Sequence, residues 1–253
     1  MSGHSKWSTI KRQKGQTDAR RGQLFTKLAR EIAVAARQGG GDPGMNASLR
    51  LAVERARGNS MPMENIERAI KRATGQGEGN GAGFEEVVYE GYGPGGAAIM
   101  VIALTDNRNR SASEIRYTFD KQNGKLGETG SVAWSFEQKG LVTLEEDPER
   151  AEEIALLAID LGAEDFTIED STLEITTSAD KFESFRQALE AKAIIPTRAE
   201  VTMLPKSLAA LDNHSAELTL RLVDHLEELD DVQRVHTNAD FPLEVLNRYL
   251  ATT

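Results

Sequence analysis

With 253 residues, the chain exceeds the roughly 100 to 200 of a usual single domain, so two or three domains are expected. It is 39% hydrophobic and 28% charged, has no cysteine, and no segment approaches the run of about 18 apolar residues that a membrane helix requires. A membrane-spanning helix, a disulfide framework, thiol catalysis and cysteine-ligated zinc are thereby excluded. The opening MSGHSKWSTIKRQK is cationic but lacks the apolar stretch of a secretory signal, and a cytoplasmic protein is expected.

The overall charge of −10 conceals a split. Residues 1–75 hold 15 Lys and Arg against 6 acids, a net +9, which leaves −19 for the rest of the chain. Salt screens charges beyond about 8 to 10 Å, so a basic end can attract nucleic acid while the remainder repels it. Such asymmetry points to nucleic-acid contact.

After Lys14, Leu24, Leu28, Ile32 and Ala35 recur at helical steps, and the spacing predicts one helix over 18–38 that stops at Gly39-Gly40-Gly41. Arg20, Lys27, Arg30 and Arg37 fall opposite that apolar stripe and form a basic ridge. A second helix is predicted over 47–57 with Asn46 as its cap. A third runs from Pro62 through Ile66, Ile70 and Ala73, making a three-helix bundle. The run GQGEGNGAG at 75–83 alternates glycine with small or polar residues and reads as a linker.

Strands are predicted over 84–92 and 97–104 around Gly93-Pro94-Gly95, a hairpin. Ser111 and Glu114 form a capping-box pair for a helix carrying Ile115 and Phe119 inward, and 132–136 reads as another strand, with Gly140 breaking the pattern after it. From 141 to 203 the order is strand, helix begun by Asp147-Pro148, two short strands, helix capped by Ser178, strand. This β-α-β-β-α-β order is the ferredoxin-like unit. A helix with Leu218, Leu222 and Leu226 and a strand over 232–236 then complete the half begun at 84. The expected class is α+β in three domains: the bundle at 1–75, a linker at 76–83, a central α/β domain from 84–138 and 206–253, and an inserted ferredoxin-like βαββαβ domain at 139–205.

Catalytic signals are weak. Gly91, Gly93 and Gly96 match G-x-G-x-x-G formally, but a dinucleotide site needs those glycines to open a helix, and here Pro94 intervenes and a strand comes next. His214 and His225 lack the carboxylate spacing of a metal site, and the many carboxylates form no matched acid/base pair. No enzyme activity, cofactor or metal is expected. Two stretches do carry chemistry. The arm at 3–14 combines Lys6, Lys11, Arg12 and Lys14, which can neutralise phosphates, with Trp7, whose face can stack on a base; Trp7 and Ile10 could equally staple the arm to the bundle. The polar turn TDNRNR at 105–110 sets Asn107, Arg108 and Arg110 beside a helix start, either as a binding loop or as a cap.

GHSKW near the start, FTKLAREI, GGGDP, MPMENIERAIK, YEGYGPGG, LTDNRNRSASEIR, LGETGSVAWSF and LDDVQRVHTN closely resemble the YebC/PmpR family over almost the full length. The resemblance implies a helical bundle, a central α/β domain and an inserted ferredoxin-like domain. It also implies a cytoplasmic regulator of gene expression: members are commonly labelled DNA-binding transcriptional regulators, mitochondrial relatives are translational activators of cytochrome c oxidase, and bacterial members are linked to the ribosome. The expected function is a non-enzymatic DNA-binding transcriptional regulator, with a ribosome-associated translation factor on rRNA or mRNA as the alternative. Nucleic acid is placed on Lys6, Trp7, Lys11, Arg12, Lys14, Arg20, Lys27, Arg30 and Arg37, with Asn107, Arg108 and Arg110 as the second candidate. The acidic domains are expected to face ribosomal or other protein partners, and no membrane.

Overall fold

The structure is a computed structural model that describes residues 18–75, 83–169 and 171–251. Helix α1 (Asp18–Gly39) buries Leu28, Ile32, Ala35 and Ala36, spaced at three and four residues, against Leu49, Val53 and Ala56 of α2 (Ala47–Gly58) and Ile66 and Ala69 of α3 (Met63–Ala73). One side chain fastens the first corner. Asn46 Nδ2 donates to Ala35 O and Gly40 O, both at 2.8 Å, while its Oδ1 accepts from Leu49 N at 3.1 Å. It thereby satisfies free carbonyls at the end of one helix and an orphan donor at the start of the next. A Cβ on Gly39 would come within 2.6 Å of that amide, so the corner requires glycine there.

The central unit is a four-stranded antiparallel sheet of β1 (Glu85–Tyr92), β2 (Ala98–Thr105), β3 (Lys125–Leu126) and β9 (Val232–Thr237), in the order β3-β1-β2-β9. Its β1–β2 hairpin turns through a 3-10 segment, Pro94–Gly96, with Gly95 and Gly96 at φ of +73° and +81°. The formal G-x-G-x-x-G is thus a turn. One face of β2 (Ile99, Val101, Ala103) packs on Ile115 and Phe119 of α4 (Arg108–Lys121) and on Leu220, Val223 and Leu226 of α7 (Asn213–Glu228). Its other face (Ala98, Met100) meets Val132, Phe136 and Met203. Burial on both faces explains the unbroken apolar run AIMVIALT. A two-residue parallel pair, β8 (Ala209–Ala210) with β10 (Ala239–Asp240), and the C-terminal helix α8 (Leu243–Ala251) close this core through Val245 and Leu246.

The third unit is a second antiparallel sheet, built from β4 (Phe136–Glu145), β5 (Asp165–Glu169), β6 (Thr172–Ser178) and β7 (Arg198–Pro205) in the order β5-β6-β4-β7. Helices α5 (Pro148–Asp160) and α6 (Phe182–Ala191) cover one of its faces. This is the ferredoxin-like arrangement, and with the bundle and the central sheet it makes an α+β protein of three parts. The expected caps at Asn46 and Asp147 are present, the latter accepting from Arg150 N at 3.1 Å.

Several local expectations are corrected. Residues 132–136 do not form a strand: Ala133–Ser135 is a 3-10 turn, and β4 then runs unbroken from Phe136 through Gly140. Gly140 is a packing site, where a Cβ would lie 2.5 Å from the Phe182 ring. The third strand of the central sheet is instead the short Lys125–Leu126. The capping box at Ser111 and Glu114 is displaced because α4 begins one turn earlier, with Asn107 Oδ1 accepting from Arg110 N at 3.2 Å. Ser178 ends β6 and caps nothing, since α6 starts at Phe182 without a side-chain cap.

Candidate nucleic-acid interface

Of the proposed contact residues, Lys6, Trp7, Lys11, Arg12 and Lys14 lie outside the described residues, and Arg20 lies in the first turn of α1. The other members of the ridge part company. Lys27 Nζ donates to Glu227 O at the end of α7, and Arg30 donates to Asp230 O in the turn after it. Arg30 also pairs with Asp231 Oδ1 at 3.0 Å and covers the Phe84 ring, its guanidinium carbon 5.5 Å from the centroid. These two cations therefore dock the bundle against the central sheet. Arg37, two turns further along α1, is exposed and lines a surface groove.

Asp231 is the centre of this docking site. Nearly buried, it accepts at Oδ2 from Thr105 Oγ1 (3.0 Å), Ser111 Oγ (2.6 Å) and Arg110 (2.8 Å) while Oδ1 faces Arg30. Burial pushes its carboxyl up, but the hydrogen bonds from Ser111, Arg110 and Thr105 and the charge of Arg30 together outweigh burial and hold it below the usual carboxylate range. Arg110 is shared with Asp106 at 2.9 Å, and its own pKa is raised first by the bond to Asp231. The polar turn is thus knitted into the fold: Asn107 caps α4, Arg108 Nε pairs with Glu85 at 2.5 Å, and Arg110 binds Asp231. Arg108 and Arg110 keep 62% and 44% of their side chains exposed, enough to meet a further anion.

Charges on other faces of the bundle act on groups of the ferredoxin-like unit and of the central sheet. Glu183 on α6 is held low first by Arg186 and more weakly by Arg50 on α2. Arg234 on β9 donates to Val201 O at 3.4 Å, and its pKa is lowered first by burial and then by the charge of Arg55. Lys27 and Arg30 of α1 are turned to the central sheet, while Arg21, Arg37, Arg50, Arg57, Arg68, Lys71 and Arg72 of the described bundle are exposed.

Four arginines rim a groove of about 480 Å³ between α1 and α3. Arg30 and Arg37 stand on α1, and Arg68 and Arg72 on α3. Between them are Ala29, Ala33, Val34, Ala69 and Ala73, with Phe25, Met61 and Phe84 closing the space and Thr26 and Asn65 as its polar lining. The two helices end side by side, since a Cβ on Gly41 would touch Ile70 and Thr74. The charge count detected a basic domain but missed this groove. A signal was available: Arg68 and Arg72 sit four residues apart beside Ala69 and Ala73, which places both arginines along one edge of a small-residue stripe.

A second conspicuous place is the loop before β4. Glu90, buried in β1, accepts from Gly130 N (2.8 Å), Val132 N (2.7 Å) and Ala133 N (2.8 Å). Burial raises its pKa, but the three backbone bonds together hold it below the usual range. The loop so fixed presents Trp134, 66% exposed, whose Nε1 shares the Ser131 carbonyl with Tyr92 Oη at 2.9 and 2.7 Å. Among the described residues no group of His, Asp and Glu is arranged to hold a metal, and no helix is long and apolar enough to cross a membrane.

Residues 5–76 match the family model described as the TACO1/YebC protein N-terminal domain, and residues 84–239 match the TACO1/YebC second and third domain. A protein of Dehalococcoides mccartyi named "probable transcriptional regulatory protein" is 52% identical over 249 residues, covering 98% of each chain. A relative of the same name from Pelotomaculum thermopropionicum is 53% identical over 94% of this chain and 98% of its own. The crystal structure of a conserved hypothetical protein from Aquifex aeolicus, 45% identical, superposes with a TM-score of 0.80 over 90% of this chain and 93% of that one. Two domain models and these full-length likenesses place the chain in the TACO1/YebC family, whose relatives here carry the name of transcriptional regulators.

Proposed function

We propose that the protein is a non-enzymatic regulator of gene expression that holds nucleic acid on its N-terminal bundle, acting first as a DNA-binding regulator of transcription, in keeping with the names of its relatives. The observation that carries this reading is the set of exposed cations on the bundle, Arg37 on α1, Arg57 at the end of α2, and Arg68, Lys71 and Arg72 on α3, in a segment of net +9 attached to a remainder of −19. The arm cations Lys6, Lys11, Arg12 and Lys14, with Trp7 and Arg20, extend the same charge in sequence. Phosphate contacts of this kind position a protein on its target without reading sequence. The test is the salt dependence of binding to a DNA duplex: about four neutralised phosphates give a slope of log K against log salt near −3.6. Binding independent of salt would remove the reading.

A second reading, a factor that works on ribosomal or messenger RNA, draws on a specific observation. Helices α2 and α3 are joined by a four-residue turn, but α3 opens with Glu64 and Glu67, both exposed, at the end a recognition helix pushes among the bases. Carboxylates there oppose entry into a DNA groove. On a ribosome the acidic units could meet basic proteins while the bundle meets rRNA. Sedimentation of cell extract at moderate salt, with a nuclease-treated control, separates the two: co-migration with ribosomal particles supports RNA, and a defined DNA footprint at physiological salt with the protein at the top of the gradient supports transcription.

A further inference from the structure

We infer that the α1–α3 groove takes an unpaired nucleotide, so that the nucleic acid held by the bundle is engaged where it is single-stranded; the inference rests on the bundle being the nucleic-acid surface. Ligand pockets run from about 300 to 1,000 Å³, and the groove, at about 480 Å³, suits one nucleotide. A duplex could not offer it a base, because paired bases lie stacked inside their helix. The lining includes alanine at Ala29, Ala33, Ala69 and Ala73, small side chains that leave the space between the arginines open.

Flat surfaces are also on hand. The Phe84 ring already carries the Arg30 guanidinium, which Asp231 anchors, and unpaired bases stack on both kinds of surface. The slot has polar groups to read a base edge. Asn65 is half-buried in the groove, and its side-chain amide makes no hydrogen bond among the described residues, leaving two donors and an acceptor. Thr26 donates to Gly22 O at 3.1 Å and so retains acceptor capacity.

The rim suits the phosphates. Arg72 is exposed and forms no ion pair among the described residues, and Arg68 is held only by the exposed Glu64 at 2.6 Å, a pair easily exchanged for a phosphate. The rival occupant is an acidic amphipathic helix, which would satisfy the arginines equally. Its apolar face, however, would seal Asn65 away from water without a partner, which weakens binding, whereas a base edge satisfies that amide.

The test uses the full-length protein with three fluorescein-labelled probes: a ten-nucleotide oligoadenylate, a DNA duplex of ten base pairs, and an acidic amphipathic peptide. Anisotropy titrations compare the native chain with Ala33→Trp, which fills the slot from a half-buried position and alters no charge, and with Asn65→Ala, which leaves the bundle core untouched. The expected result is at least tenfold tighter binding of the single strand than of the duplex. Ala33→Trp should lower oligoadenylate affinity at least tenfold and Asn65→Ala about three- to tenfold, with duplex binding unchanged in both. If Ala33→Trp fails to fold by circular dichroism, Asn65→Ala decides. Oligoadenylate bound equally by all three proteins, or a peptide displaced by Ala33→Trp while oligoadenylate is not, overturns the inference and leaves the basic-surface reading standing. If neither nucleic acid binds even at low salt, the basic-surface reading itself fails.

Discussion

Arg30 in the middle of α1 and Asp231 in the turn directly before β9 form an ion pair of 3.0 Å in which the Asp231 side chain is 4% exposed and that of Arg30 17%. The pair joins the bundle to the central sheet, and the same carboxylate holds the turn that begins α4. Asp231→Ala would take the ion-pair partner from Arg30, which keeps the Asp230 carbonyl, and the carboxylate acceptor from Thr105 and from Ser111, which keeps Asn107 O at 3.2 Å. Removing one partner of a buried pair costs about 3 to 5 kcal/mol, so urea unfolding should show a loss near the low end of that range, because Arg110 keeps contact with water and Asp106. A variant within 0.5 kcal/mol of the native chain would contradict this role.

The same carboxylate sets a pH dependence. Its folded pKa lies below the ordinary 3.8, and that of Glu90 below 4.5. A group whose folded pKa is depressed contributes its full stability above the ordinary value and loses it as pH falls through the folded one. Stability should therefore be level from neutral pH to about 5 as far as these two groups are concerned, then fall below about 4. In Asp231→Asn that acid limb should be shallower, as followed by thermal melting at stepped pH.

Glu90 should govern the loop that carries Trp134. Glu90→Gln exchanges a carboxylate accepting three backbone N–H groups for an amide with one acceptor oxygen, so at least one of the three donors, of which Val132 N is buried and the others part-buried, loses its partner, at about 1 kcal/mol or more. Amide hydrogen exchange at Gly130, Val132 and Ala133 should quicken by tenfold or more, with Ile32 and Leu49 of the bundle unaffected. Equal protection in both proteins would show that the loop is held by other means.

The basic residues of the bundle should divide into two classes. Lys27→Ala should lower thermal stability while leaving the salt slope of nucleic-acid binding unchanged, because its ammonium is turned to the Glu227 carbonyl. Arg68→Ala with Arg72→Ala should leave stability within about 0.5 kcal/mol, as exposed sites do, and flatten the slope by about 1 to 2. The reverse pattern would relocate the binding face.

The ferredoxin-like sheet should fold by itself if it is cut where its strands end. A fragment of 136–205 contains all four strands and both helices, whereas one of 139–205 loses the pairs Phe136↔Pro205, Glu137↔Leu204 and Gln138↔Met203. Circular dichroism with urea should show a cooperative transition for the first and a lower midpoint for the second. Non-cooperative unfolding of both would argue that the Ala98 and Met100 contacts of Phe136 and Met203 are required.

The helices and most strands are legible in the chain because their causes are local. Leu28, Ile32 and Ala35 recur at the step of a helix, Asn46 and Asp147 can cap only the helix directly C-terminal to them, and the β-α-β-β-α-β order needs no knowledge of what each strand touches. The failures share one cause. Gly140 reads as a break because a glycine in a strand usually weakens it, and its reason for being there, the Phe182 ring, comes from a helix 42 residues away in the chain. Ser111 looks like a cap until Asp231, remote in sequence, claims its hydroxyl. The ridge on α1 is sound as geometry, since Lys27 and Arg30 do oppose the apolar stripe. Whether an exposed-looking cation meets solvent, a phosphate or a carboxylate depends on what the rest of the chain brings up against it, and for Arg30 that is a carboxylate from the turn before β9. Helical period is a property of neighbours along the chain; the partner of a charge is a property of the packed molecule, because Coulomb attraction and burial act through space and take no account of sequence distance.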